Sequence, residues 1–460
     1  MKVTFIGGGS YRILPIVRSA LATSAVLDGG EINLYDFNVS RAETMGRLIM
    51  RSPEYAQRPC NITWGTSIEE ALDGANLVQL GFPVGDPAAY AHAAYASHKY
   101  GFLSSDQLSA TGAFLALQGG PIILDYARKM EQYCPQAWLA IFANPVAVYS
   151  GMVNNHTKVR ALGICGGYAN HTWDLSRLLG KDEQCSEYDV EVAGVNHLSF
   201  ILRGTLRDQD LFGLLDEALT ADWRPPKIQQ HWRWLQRSIH YALRREIELF
   251  KKFRTLIFST EGDGMAHLFY EDMYTKQAPE RMKKPSASEV AANIKAMKAA
   301  RERTDTEYRG YLEQELDTHF WTTQWTNPLD VTVKIIRALG GEGETRIVSS
   351  HPTHGAVSGF TQRTVVEYSQ ILDQHGLRPY GTLAVPAAFH GLISALATHQ
   401  TLLGDAIATE DPTVLYQALF AYPIQYNTRA SRKLFKELLD IHAEVISPKF
   451  RETKMMFHER

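Results

Sequence analysis

Along the first 150 positions, short apolar runs are cut by glycines and polar turns. Val3-Thr4-Phe5-Ile6 leads into Gly7-Gly8-Gly9-Ser10, helical spacing follows from Ile13 to Ala25, and Ile32-Asn33-Leu34-Tyr35-Asp36 is strand-like again. This order predicts β-α-β, the opening of a Rossmann unit. Gly7, Gly8, Gly9 and Ser10 would let the chain turn tightly and bring backbone N–H groups to a pyrophosphate, while Asp36, ending the second strand, would take the adenosine ribose hydroxyls. Arg12 stands where the G-x-G-x-x-G fingerprint has its last Gly or Ala, so the fingerprint is broken and the glycines alone are a weak signal.

Apolar runs at 76–81 and 137–143 predict two further strands, with an amphipathic helix from about 113 to 134 between them. In such sheets ligands sit beyond the carboxyl ends of strands. That position makes Phe82 and Pro83 candidates for the cofactor, and Asn144 with Asp106 candidates for the substrate; the alternative at Asn144-Pro145 is a plain strand-ending turn. After Cys165 the pattern becomes mixed: a strand at 190–195, a charged helix at about 227–253, a lysine-rich surface over 276–298 that turns helical after Pro285, strands at 345–349 and 364–368, and helices from Pro386.

A chain of 460 residues exceeds one ordinary core, and the division expected is a dinucleotide-binding domain over 1–160 and a catalytic, substrate and oligomerisation domain over 161–460. With 45% hydrophobic and 21% charged residues the composition is globular. Lys and Arg (47) nearly balance Asp and Glu (50), which excludes the basic stripe that nucleic acid or an anionic membrane selects. The apolar start is too short for an export signal, and no run approaches the length of a membrane span. Cys60, Cys134, Cys165 and Cys185 are too sparse for a disulfide framework, so a cytoplasmic protein is expected.

Cys165 and His197 each follow a short apolar strand, which would let both face one crevice. A thiolate and an imidazole together suit a borderline divalent metal, and two ligands are too few for a closed structural site. Singly, each would more often be structural.

The ordered set Phe5-Ile6-Gly7-Gly8-Gly9-Ser10, Leu34-Tyr35-Asp36, Ala143-Asn144-Pro145, Gly163-Ile164-Cys165 and Gly194-Val195-Asn196-His197 closely resembles glycoside hydrolase family 4. The likeness continues through 121–128, 364–367 and the helical segment after Val385-Pro386, covering most of the chain. The Cys-and-His pair separates it from lactate and malate dehydrogenases, which share the Rossmann half. The resemblance implies an α/β protein, with an N-terminal Rossmann domain and a mixed α+β C-terminal domain of the lactate/malate dehydrogenase-like type. It implies NAD, a divalent metal (usually Mn²⁺) on Cys165 and His197, Asn144 and Asn196 on the substrate side, a small-molecule glycoside as substrate, and a homodimer or homotetramer. The implied reaction oxidises C3 of the sugar, removes the C2 proton, eliminates the C1 substituent, adds water and reduces C3 again, a scheme outside the two-carboxylate rule. Its base is sought in 259–270, where Asp263, His267 and Tyr270 are candidates; the alternative for Tyr270 is a core aromatic.

Two departures matter. Family members often carry His or Asp directly after the metal cysteine, whereas this chain has Gly166-Gly167-Tyr168, most similar to members acting on uronic acid glycosides. Tyr168, Asn170 or His171 would have to replace the missing group. Phe82-Pro83-Val84-Gly85 lacks the arginine that 6-phospho-sugar members carry, which argues for an unphosphorylated substrate. An anionic uronate- or sulfoquinovose-type sugar stays open, with Arg12 as one way to reach its C6 group. The rivals are an NAD-dependent sugar or 2-hydroxy acid dehydrogenase that releases a keto product, and a 6-phospho-glycosidase.

Overall fold

The computed structural model describes residues 1–82, 85–165, 174–180, 188–220, 222–223, 234–258, 262–270, 284–323, 330–423 and 429–457. Six parallel strands, β1 (Lys2–Ile6), β2 (Glu31–Tyr35), β3 (Asn61–Gly65), β4 (Leu77–Leu80), β5 (Trp138–Ile141) and β6 (Arg160–Gly163), lie in the order β3-β2-β1-β4-β5-β6. Strands buried on both faces appear in sequence as unbroken apolar runs, and β4 and β5 are buried at every position. The edge strand β3 is not: Asn61 is exposed and three of its other residues are half-buried, so it carries no such run and escapes the sequence pattern.

The same sheet continues through antiparallel strands: β7 (Tyr188–Val195), β8 (Leu198–Leu206), β9 (Gln209–Asp210), β10 (Leu256–Ile257), β11 (Thr345–Pro352), β12 (Val365–Asp373) and β13 (Gly376–Pro379). Beyond β6 the order is β11-β12-β7-β8-β10, and the pairing of Ser350 with Gly163 joins the halves. The fold is thus a Rossmann half followed by a mixed α+β half, as the sequence predicts.

Helices cover both faces. Ile13–Thr23, Val39–Met50 and Val331–Leu339 pack on one face with Phe5, Leu34 and Leu162. On the other, Ala110–Tyr133, Val146–His156 and His390–Thr409 pack against Ile6, Leu80 and Ile141. The long helix starts at Ala110 rather than near 113 because Ser109 caps it, its Oγ accepting from Gly112 N at 3.1 Å. Gly120 lets this helix lie against Ile407, whose Cγ2 would stand 2.6 Å from any Cβ placed there. No helix among the described residues is long and apolar enough to cross a membrane.

Candidate functional site

Strand order reverses between β1 and β4, and in open α/β sheets ligands bind in the crevice at that point. The glycine loop lies flat on the end of β2. Gly7 has φ +90°, and the N–H groups of Gly7 and Gly8 both donate to Tyr35 O, at 2.9 and 2.8 Å. A Cβ on Gly8 would stand 2.5 Å from Leu34 Cα. Gly9 N donates to Asp36 Oδ2 at 2.9 Å, and Asn38 N to Asp36 Oδ1 at 2.8 Å, so Asp36 is oriented beside the loop. The helix Ile13–Thr23 then starts at Arg12 with no side-chain cap, leaving its N-terminal dipole for a ligand.

A cavity of about 240 Å³ opens at the carboxyl ends of β1, β4 and β5. Gly7, Ser10, Arg12, Gln79, Phe82, Asp106 and Asn144 are among its walls. Asn144 Nδ2 donates to Asp106 Oδ2 at 3.1 Å, and buried Gln79 Oε1 has no partner among the described residues. The Arg12 guanidinium lies 5.6 Å from the Phe142 ring centroid and 3.5 Å from Asp330 Oδ2. Pro83 lies outside the described residues.

The segment between Asp106 and Ser109 links this cavity to a second group of side chains. Cys165 follows β6, and His197 closes the hairpin between β7 and β8 with φ +70°, a left-handed conformation uncommon for a side chain with Cβ. They bring Cys165 Sγ and His197 Nε2 to 3.9 Å, and both residues are buried. Two donors at that separation can reach one cation at the usual S and N bond lengths of about 2.3 and about 2.1 Å. Among the described residues no group of three His, Cys, Asp or Glu forms a ready-made cage, so the pair fits an open site completed by other oxygens.

His197 is held from behind. Its Nδ1–H donates to Asp263 Oδ1 at 2.9 Å, which leaves Nε2 aimed at the sulfur. Asp263 also accepts from Leu108 N at 3.1 Å and Gly264 N at 2.9 Å. Burial opposes the imidazolium, but Asp263 outweighs it and holds His197 well above the ordinary histidine value; the same pairing, against burial, pulls Asp263 far below the usual carboxylate range. A Cβ on Gly264 would lie 1.6 Å from His197 O, so only glycine lets the helix Gly262–Tyr270 approach this turn.

Of the candidate bases, Asp263 therefore supports His197. One turn on, His267 Nε2–H donates to Leu108 O at 3.1 Å, and burial lowers its pKa, leaving a neutral ring with its lone pair on Nδ1. The backbone of Tyr270 closes this helix, while its side chain lies outside the described residues, as do Tyr168 and the neighbouring Gly166, Gly167, Asn170 and His171. Asn196 is fully buried; its Nδ2 donates to Glu367 Oε1 at 2.7 Å and its Oδ1 has no partner among the described residues. Glu367 also accepts from Ser199 Oγ at 2.6 Å, and burial, opposed by these bonds, raises its pKa. Sequence reasoning missed Leu108, whose two backbone groups tie Asp263 and His267 together, and the supporting roles of Glu367 and Gly264. The one signal for the first is the polar island Ser104-Ser105-Asp106-Gln107 between two helices.

Comparison with known proteins extends the picture. The families described as "Family 4 glycosyl hydrolase" and "Family 4 glycosyl hydrolase C-terminal domain" match residues 2–181 and 192–424. An alpha-galacturonidase of Thermoanaerobacter italicus is 24% identical over 458 residues, covering 96% of each chain. A 6-phospho-alpha-glucosidase from gut microorganisms, solved in complex with NAD and Mn²⁺, superposes with a TM-score of 0.76 at 16% identity, covering 97% of this chain and 98% of that one. A malate dehydrogenase from Plasmodium falciparum superposes at 0.50 with 11% identity, covering 89% and 99%, which places the fold beside the dehydrogenases.

Proposed function

The chain belongs to glycosyl hydrolase family 4, and from that premise we propose that it hydrolyses an unphosphorylated glycoside, of the uronate or another C6-anionic type, using NAD and a divalent metal, Mn²⁺ first. The observation that carries this reading is the Cys165–His197 pair at 3.9 Å, backed by Asp263 and linked through residues 106–108 to the Rossmann crevice. Glycines packed too closely for a Cβ and the uncapped helix at Arg12 fit a dinucleotide; a thiol and an imidazole within reach of one cation fit the metal. Bound there, the coenzyme would accept and return a hydride at C3 of the sugar, and the cation would polarise the oxygen on that carbon.

The chain's own residues supply placement and proton traffic. Asn144, fixed by Asp106, offers its amide to sugar hydroxyls at the mouth of the cavity. Asp263 fixes the proton on His197 Nδ1, so that Nε2 is the nitrogen that would give up its proton to a cation. With Asp263 committed to His197, and His267 to Leu108 through Nε2, the proposal gives the C2 proton to Tyr270, the tyrosine of the 259–270 segment in which the family resemblance places the base. Residues 1–160 hold the coenzyme, and 161–460 provide the metal ligands, the base and the contacts of a dimer or tetramer. None of the described cysteines forms a disulfide, which supports a cytoplasmic setting.

The test is a panel of nitrophenyl glycosides (galacturonide, glucuronide, sulfoquinovoside, galactoside and a 6-phosphoglucoside) with NAD⁺ and Mn²⁺ added or withheld, run in D₂O. Nitrophenol release that needs both additions, with deuterium at C2 of the sugar and preference for a C6 carboxylate or sulfonate, is the expected result. Release from the 6-phosphoglucoside alone would replace the substrate class. NADH accumulating in step with a keto product, without nitrophenol, would establish the dehydrogenase rival.

A further inference from the structure

At the far end of the glycine loop, a residue from the C-terminal half reaches the place where the Rossmann reading would put adenosine. Asp305, on the helix Ala287–Tyr311, accepts on one oxygen, Oδ1, from Arg41 Nε at 2.6 Å and from Tyr11 OH. Arg41 also donates from Nη2 to the Tyr11 hydroxyl at 3.3 Å, with its guanidinium carbon 5.4 Å from the Tyr11 ring centroid. Tyr11 in turn packs against Tyr308 of the same helix, at 4.2 Å between centroids. Both side chains of the ion pair are mostly buried, at 14% and 20% exposure.

Arg41 is next to the ribose position. A Cβ on Gly9 would meet Arg41 Cβ at 2.7 Å and Asp36 Oδ2 at 2.9 Å, so the two residues converge on one point of the loop. Beside them opens a cavity of about 70 Å³, walled by Asn38, Ser40, Arg41, Thr44, Asp305 and Arg309 among others. In dinucleotide sites an acid here takes the ribose 2′-hydroxyl, and a nearby arginine is what admits a 2′-phosphate. This chain has both, and the arginine is already engaged.

We propose that Asp305 is a coenzyme-specificity residue: by holding and neutralising Arg41 it withdraws the cation that a 2′-phosphate needs, leaves Asp36 facing the ribose, and so restricts the site to NAD over NADP. The proposal rests on the reading that the chain binds NAD. Arg309 also walls this cavity, with Nη2 3.4 Å from Thr306 Oγ1, and the Arg41→Ala double variant below separates its contribution from that of Arg41.

Calorimetric titration of the full chain with NAD⁺ and with NADP⁺ tests this without reference to turnover. Wild type should prefer NAD⁺; Asp305→Asn should tighten NADP⁺ about tenfold, the scale of one charge-assisted phosphate contact, and leave NAD⁺ unchanged. The gain should vanish in Asp305→Asn/Arg41→Ala. Should Asn at 305 loosen the helix, the Asp36→Asn background gives a second reading with Asp305 left in place: adding Arg41→Ala there should change NADP⁺ affinity little, because Asp305 already withholds that cation, and a large loss would overturn the proposal. Equal shifts for both coenzymes, or a gain that survives loss of Arg41, would overturn the proposal. A wild-type chain that binds neither coenzyme would instead overturn the NAD reading beneath it.

Discussion

At the residue scale, the site depends on which atoms are already spoken for. Asp263 gives one oxygen to His197 and the other to Leu108, so Asp263→Asn should leave the fold standing and weaken Mn²⁺ binding about 10–100-fold, as loss of a carboxylate behind a metal histidine does; a Mn²⁺ titration followed by electron paramagnetic resonance checks it. Tyr270→Phe should lower kcat at least about 100-fold and abolish C2 deuterium exchange while Mn²⁺ still binds; unchanged exchange would remove Tyr270 from the proton step. Glu246 is a different case, far from catalysis in its contacts. It is buried, its Oε2 accepts from Ile257 N at 2.9 Å, its Oε1 has no partner among the described residues, and burial holds its pKa well above the carboxylate range. A folded pKa raised above the unfolded value, about 4.3, means stability that is complete below that value and lost as pH climbs through the raised one. Glu246→Gln should therefore match wild type near pH 4 and become progressively more stable than it toward pH 9, measured by urea unfolding across that range.

At the element scale, the hairpin β7–β8 and the helix Gly262–Tyr270 form one unit through a contact that leaves no room. Gly264→Ala must move either the helix or the His197 turn, since the new Cβ would overlap His197 O. Overpacking of this kind costs about 3 kcal/mol, and here the displacement also swings Nε2 away from Cys165, so both unfolding free energy and Mn²⁺ binding should fall. A variant that lost stability but kept metal affinity would show that the turn is held by β7 and β8 alone. The positions of these elements were partly legible beforehand. Strand β7 and the helix start after Pro285 follow from local apolar runs and turn residues; β3 did not, because an edge strand with exposed positions has no continuous apolar signature.

At the scale of the whole molecule, one sheet carries both halves of the site. The glycine loop proposed for the dinucleotide sits at the end of β1 and the Cys165–His197 pair at the ends of β6 and β7; β4 and β5 lie between β1 and β6, and β11 and β12 between β6 and β7. Ligands that bind only this folded arrangement must stabilise it by mass action, about 2.7 kcal/mol each at a hundredfold excess over Kd. NAD⁺ and Mn²⁺ should each raise the melting temperature, and a chelator should cancel the second shift and leave the first. Light scattering coupled to gel filtration should give a dimer or tetramer; a monomer at micromolar concentration would remove the proposed assembly.

Much of this was determined by the sequence alone, and the boundary has a physical cause. Glycine turns, strand runs and helix caps are written by neighbours within a few positions, so the Rossmann opening, Asp36 as the acid ending the second strand, and Cys165 and His197 at strand ends all follow from local pattern. Partnerships do not. His197 meets Asp263 across 66 positions, Asn196 meets Glu367 across 171, and Arg41 meets Asp305 across 264. Each is a choice among many carboxylates on the chain, made only when the sheet closes and the helices pack. Tertiary structure therefore decided that Asp263 supports a histidine rather than standing free, and that Arg41, beside the glycine loop, is already paired with Asp305.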